Sequence, residues 1–263
     1  MLPTIDFSRN EYHEFVLPKS KNKIHIRKYV TDDVYKLLLT VDDEKPIFEK
    51  YKAIFKLVKS LVKKLDLTFI NDINKIDFFA LLFFIRKISL GSELNLTYPC
   101  QSCGRRFKVI IDLGDESKFT YDIVKDTPVF KFSKGEIKFN NDIKFLDIIK
   151  IMEHINLEKE QDLNETTYKY FTNFLVKSFE LEGKTYEIDI NDNKLENGDS
   201  KLLQTIRHFL LPNEFIDLIR FVGKENNLID FLVYTDKVNC THCMANNEIV
   251  AEDSYFLQLN IPI

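Results

Sequence analysis

Cys100-Gln101-Ser102-Cys103-Gly104 and Cys240-Thr241-His242-Cys243-Met244 hold every cysteine of the 263-residue chain. Two residues between cysteines let both sulfurs of a tight turn point at one ion. Two such turns supply the four thiolates that tetrahedral zinc takes in closed structural sites. Gly104 stands where the lack of a Cβ lets backbone amides approach sulfur. Strand-like sequence flanks both pairs: Leu94-Asn95-Leu96-Thr97-Tyr98 and Phe107-Lys108-Val109-Ile110-Ile111 around the first, Phe231-Leu232-Val233-Tyr234 and Glu248-Ile249-Val250 around the second. Each turn therefore tips a hairpin, and the two together make a zinc ribbon split by an insertion of more than a hundred residues. A redox C-x-x-C needs a βαβ setting with the motif opening a helix, which neither pair has. Structural disulfides need an oxidising compartment, for which there is no signal. A catalytic zinc needs an open fourth position. His242 could stand in as a ligand, but four thiolates make it unnecessary. The expected metal ligands are Cys100, Cys103, Cys240 and Cys243, holding one structural Zn2+ per chain.

Upstream, residues 1–30 look extended, and Lys23-Ile24-His25-Ile26-Arg27 alternates as a half-buried strand does. Asp42-Asp43-Glu44-Lys45-Pro46 opens a helix, with Pro in its first turn and acids at its positive end. Ile47, Tyr51, Ile54, Val58, Leu61 and Leu65 then form one apolar stripe, with lysines elsewhere. Such a helix can lie on a membrane; a solvated lysine face on a core-packed helix is the plainer reading. A second helix spans about 75–88. Its run Phe78-Phe79-Ala80-Leu81-Leu82-Phe83-Phe84-Ile85 is apolar on nearly every side, marking a buried centre, and Gly91 ends it.

Between the pairs, Val129-Phe130-Lys131-Phe132 and Glu136-Ile137-Lys138-Phe139 predict a hairpin around Ser133-Lys134-Gly135. Helices are expected near 143–155, 165–180, 200–210 and 213–224. A short hairpin from 179–181 to 186–188 turns at Gly183, and 191–198 reads as a polar loop. The chain closes with a strand at 256–259 in a tail rich in Tyr255, Phe256, Leu257, Leu259, Ile261 and Ile263. This tail reads as a last strand on the protein's own core or as an anchor on a neighbour. The organisation is α+β: a helical N-terminal layer with the first knuckle (1–112), an inserted, mostly helical region with hairpins (113–227), and the second knuckle hairpin with the C-terminal strand (228–263).

Composition bounds the function. With 37 basic and 41 acidic residues the net charge is −4, so bulk electrostatics do not mark a nucleic-acid protein. Hydrophobic residues at 44% exceed what a disordered chain carries. The longest apolar run is eight residues against the ~20 that a membrane span needs. The opening Met1-Leu2-Pro3-Thr4-Ile5-Asp6-Phe7 has no secretory pattern. Thirty of the 37 basic residues are lysine, and Phe numbers 23 against no Trp. That is the usage of an AT-rich genome, so a lysine-rich face says little about binding.

Other motifs fail on position. Glu182-Gly183-Lys184-Thr185 ends like a P-loop, but Ser178 stands where its first glycine belongs. Asp189, Asn191 and Asn193 begin like a calcium loop, but Lys194 and Ser200 occupy its glycine and glutamate positions. The five histidines form no metalloprotease spacing. Arg105, Arg106 and Lys108 beside the first knuckle could contact nucleic acid, yet no basic stripe with interleaved aromatics extends from them.

The order of features from Leu17 to Leu113 carries a resemblance. Leu17-Pro18-Lys19-Ser20 precedes the Ile-rich strand, then come Val30-Thr31-Asp32-Asp33 and the amphipathic helix. Ile76-Asp77-Phe78-Phe79-Ala80-Leu81-Leu82 leads into Ile85-Arg86-Lys87-Ile88-Ser89-Leu90-Gly91-Ser92-Glu93, the knuckle and Ile111-Asp112-Leu113. This resembles the baseplate hub and hub-assembly protein family of T-even-type contractile-tailed bacteriophages. The resemblance implies a non-enzymatic structural or assembly protein of the virion tail baseplate. It also implies baseplate or tail proteins as partners in a symmetric assembly, with no membrane and no specific nucleic acid, and host cytoplasm during assembly. The rival readings are a viral or cellular zinc-ribbon protein that binds nucleic acid, and an enzyme whose deep pocket holds two carboxylates or histidines.

Overall fold

The computed structural model describes residues 11–33, 35, 45–122, 126–157, 175–188, 201–223 and 231–252. In chain order these form β1 (Tyr12–Val16), β2 (Lys23–Arg27), α1 (Ile47–Leu61), α2 (Leu67–Asn71), α3 (Lys75–Leu90), β3 (Glu93–Pro99), β4 (Arg106–Asp112) and β5 (Phe119–Asp122). Next come β6 (Val129–Phe132), β7 (Gly135–Phe139), α4 (Phe145–Leu157), β8 (Val176–Leu181), β9 (Lys184–Glu187), α5 (Lys201–Phe209) and α6 (Pro212–Gly223). The chain returns through β10 (Phe231–Asn239) and β11 (Asn246–Glu252). The molecule is thus a mixed helix-and-sheet α+β protein. It divides into two compact units, one holding the described residues of 11–45, 50–122 and 231–252, the other those of 46–49 and 126–223.

The first unit is built around α3. Ile76, Phe78, Phe79, Ala80, Leu81 and Ile85 are all buried, as the apolar run requires of a central helix. Its N-terminus is capped by Asn74, whose side chain accepts the Asp77 N–H. The fully buried Asp77 carboxylate accepts the Lys19 and Ser20 amides at 2.7 and 3.0 Å and Asn74 Nδ2 at 2.9 Å. A buried carboxyl is tolerated there because three N–H donors satisfy its oxygens. The helix α1 buries Tyr51, Ile54, Phe55, Val58 and Leu61. It stops four residues before the expected Leu65, which is 79% exposed. The Lys63 N–H is taken by the His25 carbonyl of β2 at 2.9 Å, and Val62 bridges Ile26, so sheet pairing pulls the chain out of the helix.

Three antiparallel sheets belong to this unit: β1-β2, β3-β4 and β11-β10-β5. The inner faces of β3-β4 and β10-β11 share one core of Leu94, Leu96, Phe107, Val109, Ile111, Tyr234, Ile249 and the buried Cys100 and Cys240. Phe83 of α3 packs against this core, its ring 5.6 Å from Phe119, which lies 5.2 Å from Tyr234. The strand β5 was not expected from the sequence. It lies past residue 112 and pairs with β10.

In the second unit the two expected hairpins join into one sheet, β6-β7-β8-β9, because β7 pairs antiparallel with β8. Gly135 is required there, since a Cβ would collide with the Glu180 carbonyl across the pair. Phe130, Ile137, Phe139, Phe179, Ile206 and Leu218 make the core beneath it. The helix expected over 165–180 is corrected at its end: residues 176–181 are the strand β8, and 165–174 lie outside the described residues. Val176, Ser178 and Phe179 are buried by sheet pairing, and that tertiary partner overrides the local helical period. The loop read over 191–198, the strand at 256–259 and the apolar tail lie outside the described residues.

Candidate metal centre

The two hairpins end in knuckles of the same backbone design. In the first, the Cys100 N–H donates to the Arg105 carbonyl and the Gly104 N–H to the Cys100 carbonyl, both at 2.9 Å. In the second, Cys240 N–H donates to the Ala245 carbonyl and Met244 N–H to the Cys240 carbonyl, again at 2.9 Å. The Ser102 amide points at Cys100 Sγ (3.4 Å) and the His242 amide at Cys240 Sγ (3.3 Å). Gly104 and Met244 turn each chain back with φ of 70° and 60°. Cys100 and Cys240 are buried, and Cys103 and Cys243 are exposed.

All four predicted residues come together. Their sulfurs lie within 4.8 Å of one another, with Cys100 Sγ 3.6 Å from Cys243 and Cys103 Sγ 3.9 Å from Cys240. Four sulfurs held ~2.3 Å from one tetrahedral ion stand ~3.8 Å apart. The donor set and its spacing therefore fit a single thiophilic cation. Among the described residues this is the group of metal-ligating side chains that could hold an ion, and His242 is outside it: its Nε2 faces the Arg106 carbonyl at 3.2 Å. A ring nitrogen facing a carbonyl must carry the proton.

The sulfurs are electrostatically unequal. The Cys103 amide, with the Ser102 amide and neighbouring thiols, draws the Cys100 thiol down to about 6 against the effect of burial. The Ala245 amide pulls Cys243 down, but burial and the thiols of Cys103, Cys100 and Cys240 push it up to about 12. Four thiolates this close cannot all ionise unless a cation shares their charge.

Under the second hairpin, buried Tyr234 donates its hydroxyl to Asp236 Oδ2 at 3.0 Å, and Lys118 Nζ donates to the same oxygen at 2.8 Å. Asn247 escaped sequence reading. It is fully buried between the hairpins and accepts the Gln101 N–H at 2.8 Å. Its strand was expected to begin at Glu248; it begins at Asn246, and alternation then turns Asn247 inward. Arg105, Arg106 and Lys108 are exposed and have no carboxylate partner among the described residues. A pocket of about 220 Å³ is lined by two carboxylates, Asp72 and Asp77, but three N–H donors hold Asp77. No helix among the described residues is long and apolar enough to cross a membrane.

An α+β protein whose distant chain segments meet in a four-cysteine cluster is the class this fold and site define. A family model described as T4 bacteriophage base plate protein matches residues 10–254, and the chain belongs to that family. Membership implies a structural role in the phage tail baseplate, among other baseplate or tail proteins of the virion. Comparison with curated proteins and with solved structures finds no match.

Proposed function

We propose that this chain is a structural or assembly protein of the tail baseplate whose split ribbon is closed by one structural Zn2+ on Cys100, Cys103, Cys240 and Cys243. The observation that carries the reading is the meeting of four free sulfurs from two C-x-x-C turns about 140 positions apart, in a chain of the baseplate family. Bound there, the ion supplies folding free energy, on the order of 10 kcal/mol or more in small zinc modules. The ion would tie together the two stretches of the first unit, ending at Asp122 and resuming at Phe231, that the second unit separates in sequence. A part that assembles in reducing host cytoplasm gains from this brace what a secreted protein gains from disulfides. Four protein ligands leave no position for substrate, which supports a structural part over a zinc enzyme.

Metal analysis of chain purified without chelator should give about one equivalent of zinc, as a four-ligand site holds. Mass spectrometry of purified particles should find the chain if it stays in the mature baseplate. Absence of bound metal, together with a Cys100→Ser, Cys240→Ser double variant that melts like the parent, would sink the proposal. Arg105, Arg106 and Lys108, exposed beside the first knuckle and without a carboxylate partner among the described residues, favour one rival, nucleic-acid binding. Retention on heparin at physiological salt, abolished by changing Arg105 and Arg106, would establish it.

A further inference from the structure

A fully buried asparagine is uncommon unless both ends of its amide are used. Asn247 uses both. Its Oδ1 accepts the Gln101 N–H at 2.8 Å, and its Nδ2 donates to the Ala245 carbonyl at 2.8 Å. Only this orientation of the amide satisfies a donor on one side and a carbonyl on the other. Gln101 lies inside the first cysteine pair, and Ala245 closes the second knuckle by accepting the Cys240 N–H. One side chain thus ties the opening turn of one knuckle to the closing bond of the other, across 146 positions of sequence. The exposed contact between His242 Nε2 and the Arg106 carbonyl adds a second stitch in the same direction. At the matching place in the first hairpin stands Phe107, which packs on Tyr98, so the clasp runs one way only.

We infer that Asn247 is a positioning residue for the metal, a protein-only clasp that sets the two cysteine pairs face to face before the ion arrives. This rests on the proposed four-thiolate site. Without a clasp, an ion joining the pairs would have to order a long connection, and loop-closure entropy opposes that. With it, the cost is met by the fold, and the ion meets four sulfurs already at their tetrahedral spacing. Groups one step behind metal ligands set ligand orientation, and their loss costs ~10–100-fold in affinity.

The test is Co2+ titration of the metal-stripped full chain under reducing conditions, read by its visible bands and by competition with a chromophoric chelator. The parent should bind one equivalent with the intense bands of tetrahedral thiolate cobalt. Asn247→Ala should bind ~10–100-fold more weakly with altered bands. Val58→Ala, which hollows the buried face of α1 outside the core that holds Cys100 and Cys240, should lower the melting temperature and leave the affinity near the parent's. Gln101→Pro removes the N–H that Asn247 accepts, lies on the surface, and reads the clasp even if Asn247→Ala does not fold. The Gln101→Pro, Asn247→Ala double variant should be no weaker than the weaker single one, as a shared interaction demands. A parent that binds no Co2+ overturns the metal reading and this inference together. A parent that binds, with Asn247→Ala or Gln101→Pro indistinguishable from it, overturns the clasp alone. So does an equal loss in Val58→Ala, which would make the effect simple destabilisation.

Discussion

At Gly104 the first knuckle turns through φ +70° with no side chain, and at the matching point of the second Met244 takes φ +60° and is 71% exposed. The two turns carry the same backbone bonds at the same 2.9 Å, so the closing ring imposes the left-handed conformation whatever residue occupies it. Beyond the turns the two hairpins diverge. Arg105, Arg106, Phe107 and Lys108 leave the first knuckle; Ala245, Asn246, Asn247 and Glu248 leave the second. The shared positions answer to the geometry around the sulfurs. The divergent positions answer to what each strand faces: Phe107 a hydrophobic partner, Asn247 the backbone of the opposite knuckle.

The strongest way to break the equivalence of the two knuckles is to remove a sulfur from each in turn. Cys100→Ser and Cys240→Ser should each abolish stoichiometric zinc and lower the melting temperature by similar, large amounts, since in the proposed site one ion serves both. Unequal losses, with either variant keeping its metal, would show that the knuckles do not share a site. Calorimetry with metal analysis reads both.

Next in size is the pH dependence of metal binding. Protons compete for the sulfurs, so affinity falls as pH falls. At pH 7 Cys243, near 12 without the ion, is protonated and gives up its proton to metal, whereas Cys100, near 6, is largely ionised already. Below pH 6 Cys100 adds its proton to the competition and the slope steepens, by about tenfold in affinity per pH unit for each added proton. An affinity that falls with one constant slope from pH 8 to pH 5 would contradict this ordering of the sulfurs.

Exchanging the turn residues sharpens the comparison at the backbone. A Cβ at Gly104 meets no atom within 4 Å, so Gly104→Met tests conformation without crowding and should cost about 1 kcal/mol. Met244→Gly should gain up to about 1 kcal/mol by the same argument. Denaturant midpoints of both variants, measured with zinc bound, would expose an error in either sign.

A smaller effect belongs to the second hairpin alone, where Asp236 stands at the place of Leu96 in the first. Burial raises the Asp236 carboxyl, but Lys118, the Tyr234 hydroxyl and the Lys237 amide outweigh it and hold the group below the usual carboxylate range. A depressed folded value contributes stability present above the unfolded value, about 3.9, and lost as pH falls through the folded one. Asp236→Asn should therefore flatten the acid limb of stability below about pH 5, while Leu96→Ala should lower stability at every pH. Smallest of all, Arg105→Ala with Arg106→Ala should leave stability within about 0.5 kcal/mol, as exposed residues usually do.

Much of this was legible. The cysteine spacing named the four clustered residues, and the strand-like sequence on either side of each pair placed both of their hairpins. The all-round apolar run at 78–85 marked the central helix. Tertiary competition is what misled. The stripe through Leu65 obeys a helical period, yet the His25 carbonyl captures Lys63 and ends the helix early. Residues 176–180 continued a helical pattern until pairing with β7 made them a strand. The strand β5 was invisible because four residues carry too little pattern to announce a partner more than a hundred positions away.

By itself the sequence determined the mixed fold class, the two knuckles and the four cysteines that cluster. Those follow from local spacing, and spacing is written in the chain. Only the tertiary structure decided that the two knuckles face each other, which sulfurs are buried, and that Asn247 joins their backbones. An asparagine in sequence shows a donor and an acceptor but not their partners. Those partners exist only once folding has brought residues 101 and 245 to either side of it.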